Sequence, residues 1–515
     1  MPRSVSRSKS QPIEPAFLSL PLRAAAAAAL QAATEAGANH AEVRVERLRS
    51  QDVSTRDGRL ESLRDDVTLG LAVRVIHDGT WGFASSADVG PDEAARLARQ
   101  AVGVARTSRP LNAEPVELAD EPVYSDVTWT GQHEVDPFAV EPAEKVAWFA
   151  DWSRRLLASP HVDHVDGHLQ QAMDCLFYAD SRGTMTTQQR LRLQPQLTAT
   201  RIDTTGGFET MRTIAPPVAR GWEYLQGGLG AWDWERELTE LPDQLVEKAK
   251  ATSVEPGRYD LVIDPSNLWL TIHESIGHAT ELDRALGYEA AYAGTSFATL
   301  DQLGSLRYGS ELMHVTGDRT TPYGLATIGY DHEGVQSQSW DIVRNGTLVG
   351  YQLDRRMAQQ NAARLGVSRS NGCAYADSPS HVPVQRMANV SLRPAPGGPS
   401  LEQLIGGVQR GIYVVGDRSW SIDMARYNFQ FTGQRFYEIR AGRLVGQLRD
   451  VAYQATTTDF WRSMEAVGGP QTYQLGGAFN CGKAQPSQVA AVSHGCPAAL
   501  FRGVTILNTT REAGR

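Results

Sequence analysis

The chain has 515 residues, and its 41% hydrophobic and 21% charged content is typical of a water-soluble globular protein with two or three domains. Its 59 acidic and 50 basic residues give a formal net charge of −9, and no basic run stands out, which argues against direct binding of nucleic acid. No apolar stretch approaches the roughly 18 residues of a membrane span, which argues against a membrane partner.

The number and spacing of the four cysteines indicate the redox state of the compartment. They are sparse, contain no C-x-x-C pair and do not form the dense framework of a small secreted domain. We therefore expect a reducing, cytoplasmic location, with Cys175 and Cys373 as structural thiols in the interior.

The N-terminal region is predicted to be a disordered tail followed by an α/β domain. Residues 1–15 are assigned to the tail rather than to a signal peptide, because Arg23 interrupts the apolar run that follows. The α/β domain is expected over residues 16–125, and it begins with an alanine-rich helix from Leu20 to Ala36.

The rest of this first domain is expected to be a small sheet and a second helix. Alternating patterns predict strands at Ala41–Arg47, Asp52–Thr55 and Val67–Ile76. Asp57-Gly58 between the last two is a hairpin signal. An amphipathic helix is predicted from Pro91 to Val104.

Residues 126–252 are assigned to a middle segment with a linker. Proline and acidic residues are frequent from Thr107 to Glu144, which is typical of a connector. Helices are predicted at residues 145–159 and from Trp234 to Thr252, with strands and turns between them. Trp232 and Trp234 are expected in the core, although aromatic residues among glycines could also line a peptide channel.

A C-terminal domain is expected over residues 253–515. Most of it consists of short strand patterns and turns, with hairpin signals at Asn345-Gly346 and at Gly442. We expect a mainly antiparallel β domain that carries one functional helix. With the two-layer α/β region before it, the predicted fold class is α+β.

That helix follows directly from a buried strand. Tyr259–Ile263 is a short apolar run rich in β-branched residues, as expected for such a strand. Asp264 offers an N-cap side chain, and Pro265 suits the first helical position because no N–H is needed there. The helix is predicted to run to about Leu282.

His273, Glu274 and His278 lie on this helix and are candidates for a metal-dependent reaction. Zinc hydrolases need two imidazoles to hold the metal and a carboxylate to take a proton from the bound water. The common H-E-x-x-H motif places its histidines four residues apart, whereas a five-residue step turns an ideal helix by roughly 140°. A π-bulge eased by Gly277 would restore the alignment. Without one, both histidines would be ordinary helix residues.

A catalytic zinc site needs a third protein ligand and an open position. Cys481 lies in a glycine-flanked loop, where a thiolate can approach an ion. Several other side chains are also candidates, namely Cys496, His494, Glu281, Asp331, His332 and Glu333. A separate histidine cluster at His161, His164 and His168 suits either a second metal site or a surface strand or turn.

The sequence resembles a known family. H-E-x-x-x-H followed some two hundred residues later by C-G-K is similar to the TldD-type, metal-binding half of the TldD/PmbA metalloprotease family. The resemblance begins near residue 40 and covers nearly the whole remaining chain. Further matching stretches are GLAVRVIHDGTWGFASS (Gly70–Ser86), DHEGVQSQ (Asp331–Gln338), NGTLVGYQLD (Asn345–Asp354), VPVQRMANVSL (Val382–Leu392) and RGIYV (Arg410–Val414).

The resemblance implies roles for individual residues and a partner. It implies that His273, His278 and Cys481 are zinc ligands and that Glu274 is the general base. It implies a heterodimer with a PmbA-type sister chain that lacks the metal motif, or a homodimer, around a closed cavity. Substrates would enter as extended peptides that pair with a sheet edge.

The resulting hypothesis is a zinc-dependent peptidase that acts on peptides or unfolded protein segments. A zinc-bound water would be the nucleophile and Glu274 its base. Two alternatives remain at this point. One is a non-catalytic subunit that binds peptides or regulates another chain, and the other is a zinc amide hydrolase for small substrates.

Overall fold

The computed structural model describes residues 12–203, 207–227 and 231–512. Residues 1–11 of the predicted tail lie outside the described residues. Just beyond them, Ile13 is buried, and the backbone N–H of Glu14 donates to the side chain of Gln189 at 2.7 Å.

The N-terminal half is built on one seven-stranded sheet. Its strands are β1 (His40–Arg56), β2 (Arg59–His77), β3 (Thr80–Ser86), β4 (Val127–Thr130), β5 (His164–Asp180), β6 (Met185–Ile202) and β7 (Phe208–Arg212). Its helices are α1 (Pro15–Leu18), α2 (Leu22–Glu35), α3 (Pro91–Ser108), α4 (Pro142–Leu157), α5 (Glu223–Gln226) and α6 (Trp234–Ala249), with a 3₁₀ turn at Arg109–Leu111.

The strand order is β3-β2-β1-β5-β6-β4, and β7 also pairs with β6. Every pairing is antiparallel except that between β4 and β6. Because β1 pairs with β5, the predicted boundary at residue 125 falls between strands of one sheet. The separate strands expected at Ala41–Arg47 and Asp52–Thr55 are one strand, and the predicted turn at Asp57-Gly58 joins it to β2.

The C-terminal half contains many short strands. They are β8 (Thr252–Ser253), β9 (Gly257–Ile263), β10 (Val315–Asp318), β11 (Ser339–Arg344), β12 (Thr347–Leu348), β13 (Ala374–Tyr375), β14 (Val384–Gln385), β15 (Asn389–Leu392), β16 (Arg410–Ile422), β17 (Asn428–Arg440), β18 (Arg443–Arg449), β19 (Val451–Thr456), β20 (Met464–Val467), β21 (Gln474–Lys483), β22 (Gln488–Cys496) and β23 (Ala499–Asn508). Its α-helices are α7 (Pro265–Ile272), α8 (Leu282–Ala285), α9 (Arg355–Gln360), α10 (Ala362–Leu365), α11 (Leu401–Gly406), α12 (Thr457–Arg462) and α13 (Thr509–Glu512), with 3₁₀ turns at Leu300–Gln302 and Pro470–Thr472.

The largest sheet of this half has the order β16-β9-β23-β19-β17-β18-β8, with β20 on β23. Its pairings are antiparallel except β9 with β16 and β8 with β18, so the predicted α+β class is confirmed. Both predicted hairpins form. Asn345-Gly346 joins β11 to β12 and Ala441-Gly442 joins β17 to β18, and all four residues have the positive φ of a tight hairpin turn.

Buried charges tie the two halves together. Charged side chains at one end of β1 and β2 are buried against the C-terminal half, whereas residues 59–68 of β2 are exposed. Arg74 on β2 forms ion pairs with Glu42 and, at 2.8 Å, with Glu333 of the C-terminal half. Arg44 on β1 likewise lies 3.1 Å from the ring of His332. A buried charge needs a partner, so these contacts fix how the halves meet.

Among the described residues, no helix is both long enough and apolar enough to span a membrane.

We expect Arg74→Leu to lower the free energy of unfolding by about 3–5 kcal/mol, because it leaves the carboxylates of Glu42 and Glu333 buried without their cation. Urea denaturation followed by circular dichroism measures the change. Arg96→Leu is the control, since Arg96 pairs with Glu93 at the surface, where such a pair contributes about 0–1 kcal/mol. Equal losses in both variants would contradict the structural role of Arg74.

Candidate metal centre

The motif helix starts as its sequence predicts. Strand β9 leads into Asp264, whose carboxylate accepts a hydrogen bond from the backbone N–H of Ser266 at 3.0 Å, and Pro265 occupies the first helical position. All eight residues of α7 are buried. Helix α7, which leads into the site, is therefore held in a fixed orientation inside the protein.

Of the two alternatives for the histidine spacing, the π-bulge is the one observed. The turn His273–Gly277 is a π-helix, in which the backbone N–H of His278 donates to the carbonyl of His273 five residues earlier. This wider turn brings the two imidazole rings to a centroid separation of 4.7 Å. A 3₁₀ turn ends the helix at Thr280 rather than near Leu282, because Glu281 is extended, with ψ of 114°.

Side chains from outside the helix support the wide turn. Gln352 donates to the carbonyl of Gly277 at 2.7 Å, and the hydroxyl of Tyr308 donates to the carbonyl of Ser275. Gly277 itself has an ordinary helical φ of −52°, so its role differs from the one expected. A Cβ atom there would lie 2.5 Å from the sulfur of Met387, so glycine provides room for close packing.

A β-bulge aims Cys481 at the same point. Strands β21 and β22 pair with Ala478 opposite Val492 and Cys481 opposite Ala490, so β21 carries one extra residue. The extra residue puts Cys481 on the same face of β21 as Ala478, where an unbroken strand would put it on the opposite face. Gly476, also on this face, contacts Trp269 of α7, which shows that the face is directed at the motif helix.

The three predicted ligands come together. The ligand atoms of His273, His278 and Cys481 all lie within 4.8 Å of one another, and all three residues are buried. Cys481 Sγ is 3.5 Å from His278 Nε2. Tetrahedral zinc with bonds of about 2.0 Å to nitrogen and 2.3 Å to sulfur separates its ligand atoms by roughly this distance. The donor set therefore fits zinc.

The electrostatics favour the ligand forms of these groups. Burial lowers the pKa of both His273 and His278, which favours the neutral imidazole that binds a metal. Burial alone would raise the pKa of the Cys481 thiol, but the neighbouring His278 and Arg386 outweigh it and lower the pKa. The site thus favours a thiolate in a buried setting where cations lie close to the sulfur.

Each histidine has a partner behind it. Nδ1 of His278 lies 3.0 Å from a carboxylate oxygen of Glu281, and Lys483 lies 3.3 Å from the other oxygen. Nδ1 of His273 lies 2.7 Å from Nε2 of His494. Glu281 and His494, which the sequence offers as possible third ligands, therefore lie behind the histidines. Such outer contacts orient metal ligands.

Glu274 is held by an arginine that the sequence analysis missed. The carboxylate of Glu274 lies 2.5 Å from a guanidinium nitrogen of Arg426, which is in the turn between β16 and β17. Arg426 has a φ of 63°, a left-handed conformation that is uncommon outside glycine. The two residues are 152 positions apart, so no local pattern could have linked them.

Other candidate ligands lie elsewhere. Cys496 contacts the carbonyl of Pro265 at 3.8 Å, and burial raises its pKa well above the ordinary value. Asp331 accepts hydrogen bonds from loop backbone N–H groups. His332 and Glu333 face the arginines of the N-terminal sheet. Within the described part of the chain, His273, His278 and Cys481 are the one group of three such side chains with metal-binding spacing.

The second histidine cluster is a set of separate surface contacts. His164 lies 3.0 Å from Asp57, and His161 lies 2.8 Å from Arg201. His168 is 3.3 Å from the hydroxyl of Ser54. The alternative of a surface strand or turn is therefore the one observed, with His161 in a turn and the other two histidines on β5.

The tryptophans also have structural partners. Trp234 is buried and donates to the carbonyl of Tyr224 at 2.9 Å, and Trp232 donates to Glu237. Neither lines the cavity at the metal centre. Trp234 is thus a core residue, as expected, and Trp232 is half-buried against the same core.

A cavity of about 380 Å³ opens beside the predicted ligands and Glu274. One wall is strand β21 from Gly476 to Gly482. Residues 212–217 of the N-terminal half form another part of its lining. Strand β21 pairs with β22 along one edge. Among the described residues, no strand pairs with its other edge.

Comparisons with known proteins agree with this arrangement. The family model described as PmbA/TldA metallopeptidase domain 1 matches residues 41–105, and the one described as PmbA/TldA metallopeptidase C-terminal domain matches residues 256–508. The chain belongs to the PmbA/TldD family. The second match contains the whole π-turn and Cys481.

Relatives in this family are named as metalloproteases. A metalloprotease of Methanothermobacter thermautotrophicus is 27% identical over 91% of this chain and 96% of its own length. A zinc metalloprotease TldD homologue of Saccharolobus solfataricus is 22% identical over the same shares of the two chains. The solved structure of TldE from Thermococcus kodakarensis superposes with a TM-score of 0.67 at 15% identity, over 94% of this chain and 99% of that one. The PmbA/TldD chain described here thus shares its fold with a TldE chain.

We expect Cys481→Ser to lose bound zinc while the chain stays folded, because a neutral hydroxyl replaces the thiolate. Zinc content measured by inductively coupled plasma mass spectrometry should be about one ion per unmodified chain. The control is Cys496→Ser, which changes a buried thiol outside the ligand set. Undiminished zinc in Cys481→Ser would place the third ligand elsewhere.

Proposed function

We propose that this PmbA/TldD chain is a zinc-dependent peptidase that hydrolyses peptides or unfolded protein segments within its cavity. One observation carries the proposal. Two imidazoles, a cysteine with a lowered pKa and the carboxylate of Glu274 meet, all buried, at one cavity. The relatives named as metalloproteases support the same class of reaction.

The residues have separate roles in the proposed reaction. His273, His278 and Cys481 would hold the metal, and bound zinc would supply Lewis-acid activation of water and of the scissile carbonyl. Glu274 accepts the proton that the attacking water loses and passes it to the leaving amine. Arg426 fixes the direction of the Glu274 carboxylate.

The cavity favours an extended substrate. Its volume is within the range of sites for small ligands and short peptide segments, and it is too small for a folded domain. A substrate strand could pair with the free edge of β21, which would recognise backbone groups more than side chains. Because β21 also carries Cys481, this pairing would place a peptide bond beside the predicted metal ligands.

The two alternatives differ in what they need from the site. A subunit that only binds peptides has no use for a carboxylate beside the metal ligands, so Glu274 favours catalysis. A hydrolase of small amides would use the same residues but would not need the free edge of β21. Activity on casein, on short peptides and on small amides separates the two hydrolases.

We expect Glu274→Gln to keep zinc and fold but to lose peptide cleavage by about 10²–10⁴-fold, because an amide cannot accept the proton. Cleavage of a fluorogenic peptide library and zinc content are measured on the same samples. The exposed Glu402→Gln, purified identically, controls for contaminating proteases. If Glu274→Gln cleaves as fast as the unmodified protein, Glu274 is not the base.

We also propose that a second chain, either a PmbA-type sister or another copy, closes the cavity. Trp420 lines the cavity and is 54% exposed, and large exposed aromatic residues often mark protein interfaces. Sedimentation velocity of the chain alone should show a dimer if the partner is a copy. If the partner is a sister chain, a dimer forms only on mixing. A monomer under both conditions would contradict this proposal.

A further inference from the structure

We propose that His494 is a positioning residue for the metal ligand His273, because it fixes which ring nitrogen of His273 carries the proton. The inference rests on the proposed zinc site and assigns a role to a residue outside the ligand set. It follows from two consecutive hydrogen bonds between buried groups.

The first hydrogen bond sets the tautomer of His494. Its Nδ1 lies 2.8 Å from the backbone carbonyl of Val390, and a carbonyl can only accept, so Nδ1 carries a proton. His494 is completely buried beside a second imidazole, an environment that disfavours a charged ring. In a neutral ring with the proton on Nδ1, Nε2 has a free lone pair.

The second hydrogen bond lets the tautomer of His494 determine the tautomer of the predicted ligand His273. Nε2 of His494 is 2.7 Å from Nδ1 of His273 and can only accept, so Nδ1 of His273 donates. The nitrogen of His273 that keeps a lone pair is therefore Nε2. A metal ligand must present a lone pair, so the contact prepares His273 for binding before any ion arrives.

The surrounding packing holds the His494 ring in place. Trp269 stacks on it with 7° between the ring planes and a centroid distance of 6.3 Å. Gly476 leaves the space that Trp269 occupies. The backbone N–H of Gly495 donates to the hydroxyl of Ser391 at 2.9 Å, which fixes the strand that carries the ring. His494 therefore cannot turn away from His273 without disturbing a packed interior.

The two ligand histidines are thus supported by different chemistry. His278 has the carboxylate of Glu281 behind it, and the charge of that carboxylate is offset by Lys483. His273 has a neutral imidazole, which orients the ring without adding negative charge. The centre keeps more of the positive charge of a bound dication than it would with two carboxylates.

The test uses two substitutions and a control. His494→Phe keeps the ring and its stacking on Trp269 but removes the acceptor, so zinc affinity should fall about 10–100-fold. His494→Gln retains a side-chain carbonyl that can accept from His273, and its affinity should be within a few-fold of native. Cys496→Ala, a buried change two residues away that makes no contact with His273, should leave affinity unchanged. Competition against a chromophoric chelator measures all three.

A second measurement needs no metal and can be read on the unmodified protein, with variants used only for assignment. Histidine ¹⁵N NMR of the unmodified, metal-free protein should show His273 protonated on Nδ1. The assignment comes from comparison with His273→Gln, and His494→Phe should change the His273 signal. A proton on Nε2 of His273 would overturn the inference even if His494→Phe fails to fold.

The outcomes separate this inference from the proposed function. If the unmodified protein binds no zinc, the peptidase proposal fails, while the NMR result still decides whether His494 sets the tautomer. If zinc binds and a folded His494→Phe keeps native affinity, the positioning role is wrong and the peptidase proposal stands.

Discussion

The candidate site depends on one wide helical turn. An α-helix cannot direct side chains five residues apart at the same point, and the π-turn from His273 to Gly277 makes this possible. Such a turn leaves backbone groups in need of partners, so Gln352 and Tyr308 donate to its carbonyls. Met387 packs where a larger residue than Gly277 would clash. The predicted metal ligands His273 and His278 therefore stay in place because much of the C-terminal core holds the turn.

Charge inside this core is balanced in pairs. Glu281 has Lys483, Glu274 has Arg426, and the cysteine lies near Arg386. These anions each lie beside a cation, although Lys483 is shared between Glu281 and Asp283. A nearby opposite charge is the condition for keeping charged groups in a water-excluded interior. Polar groups can then be fixed in direction before a substrate arrives, and such preorganisation is what catalysis by electrostatics requires.

The sequence allowed prediction of features that depend on neighbouring residues. Asp264 and Pro265 mark the start of the helix, the spacing of the histidines predicts the π-turn, and Asn345-Gly346 marks a hairpin. The assignment of Cys481 needed the family resemblance, because its place depends on a bulge in β21. Arg426 and the partner role of His494 could not be found, since both depend on contacts more than 150 residues apart.

Strand β1 shows why the alternation of residues in a sequence does not fully predict burial. The alternating charges of β1 at Glu42, Arg44 and Glu46 suggest a face in water. In the fold this face is buried against the C-terminal half, where Arg44 meets His332. Alternation reports which residues share a face, but it does not report what covers that face.

Two parts of the cavity lining come from different parts of the chain. The predicted ligands and β21 lie within residues 256–508, which match the C-terminal family model, whereas the lining residues 212–217 lie outside both matched ranges. The residues proposed to take part in the reaction and the residues proposed to select the substrate therefore lie in separate segments of the chain. Substitutions at residues 212–217 can change which substrates fit the cavity without moving a predicted metal ligand. Members of one family can therefore differ in substrate preference while keeping the same reaction.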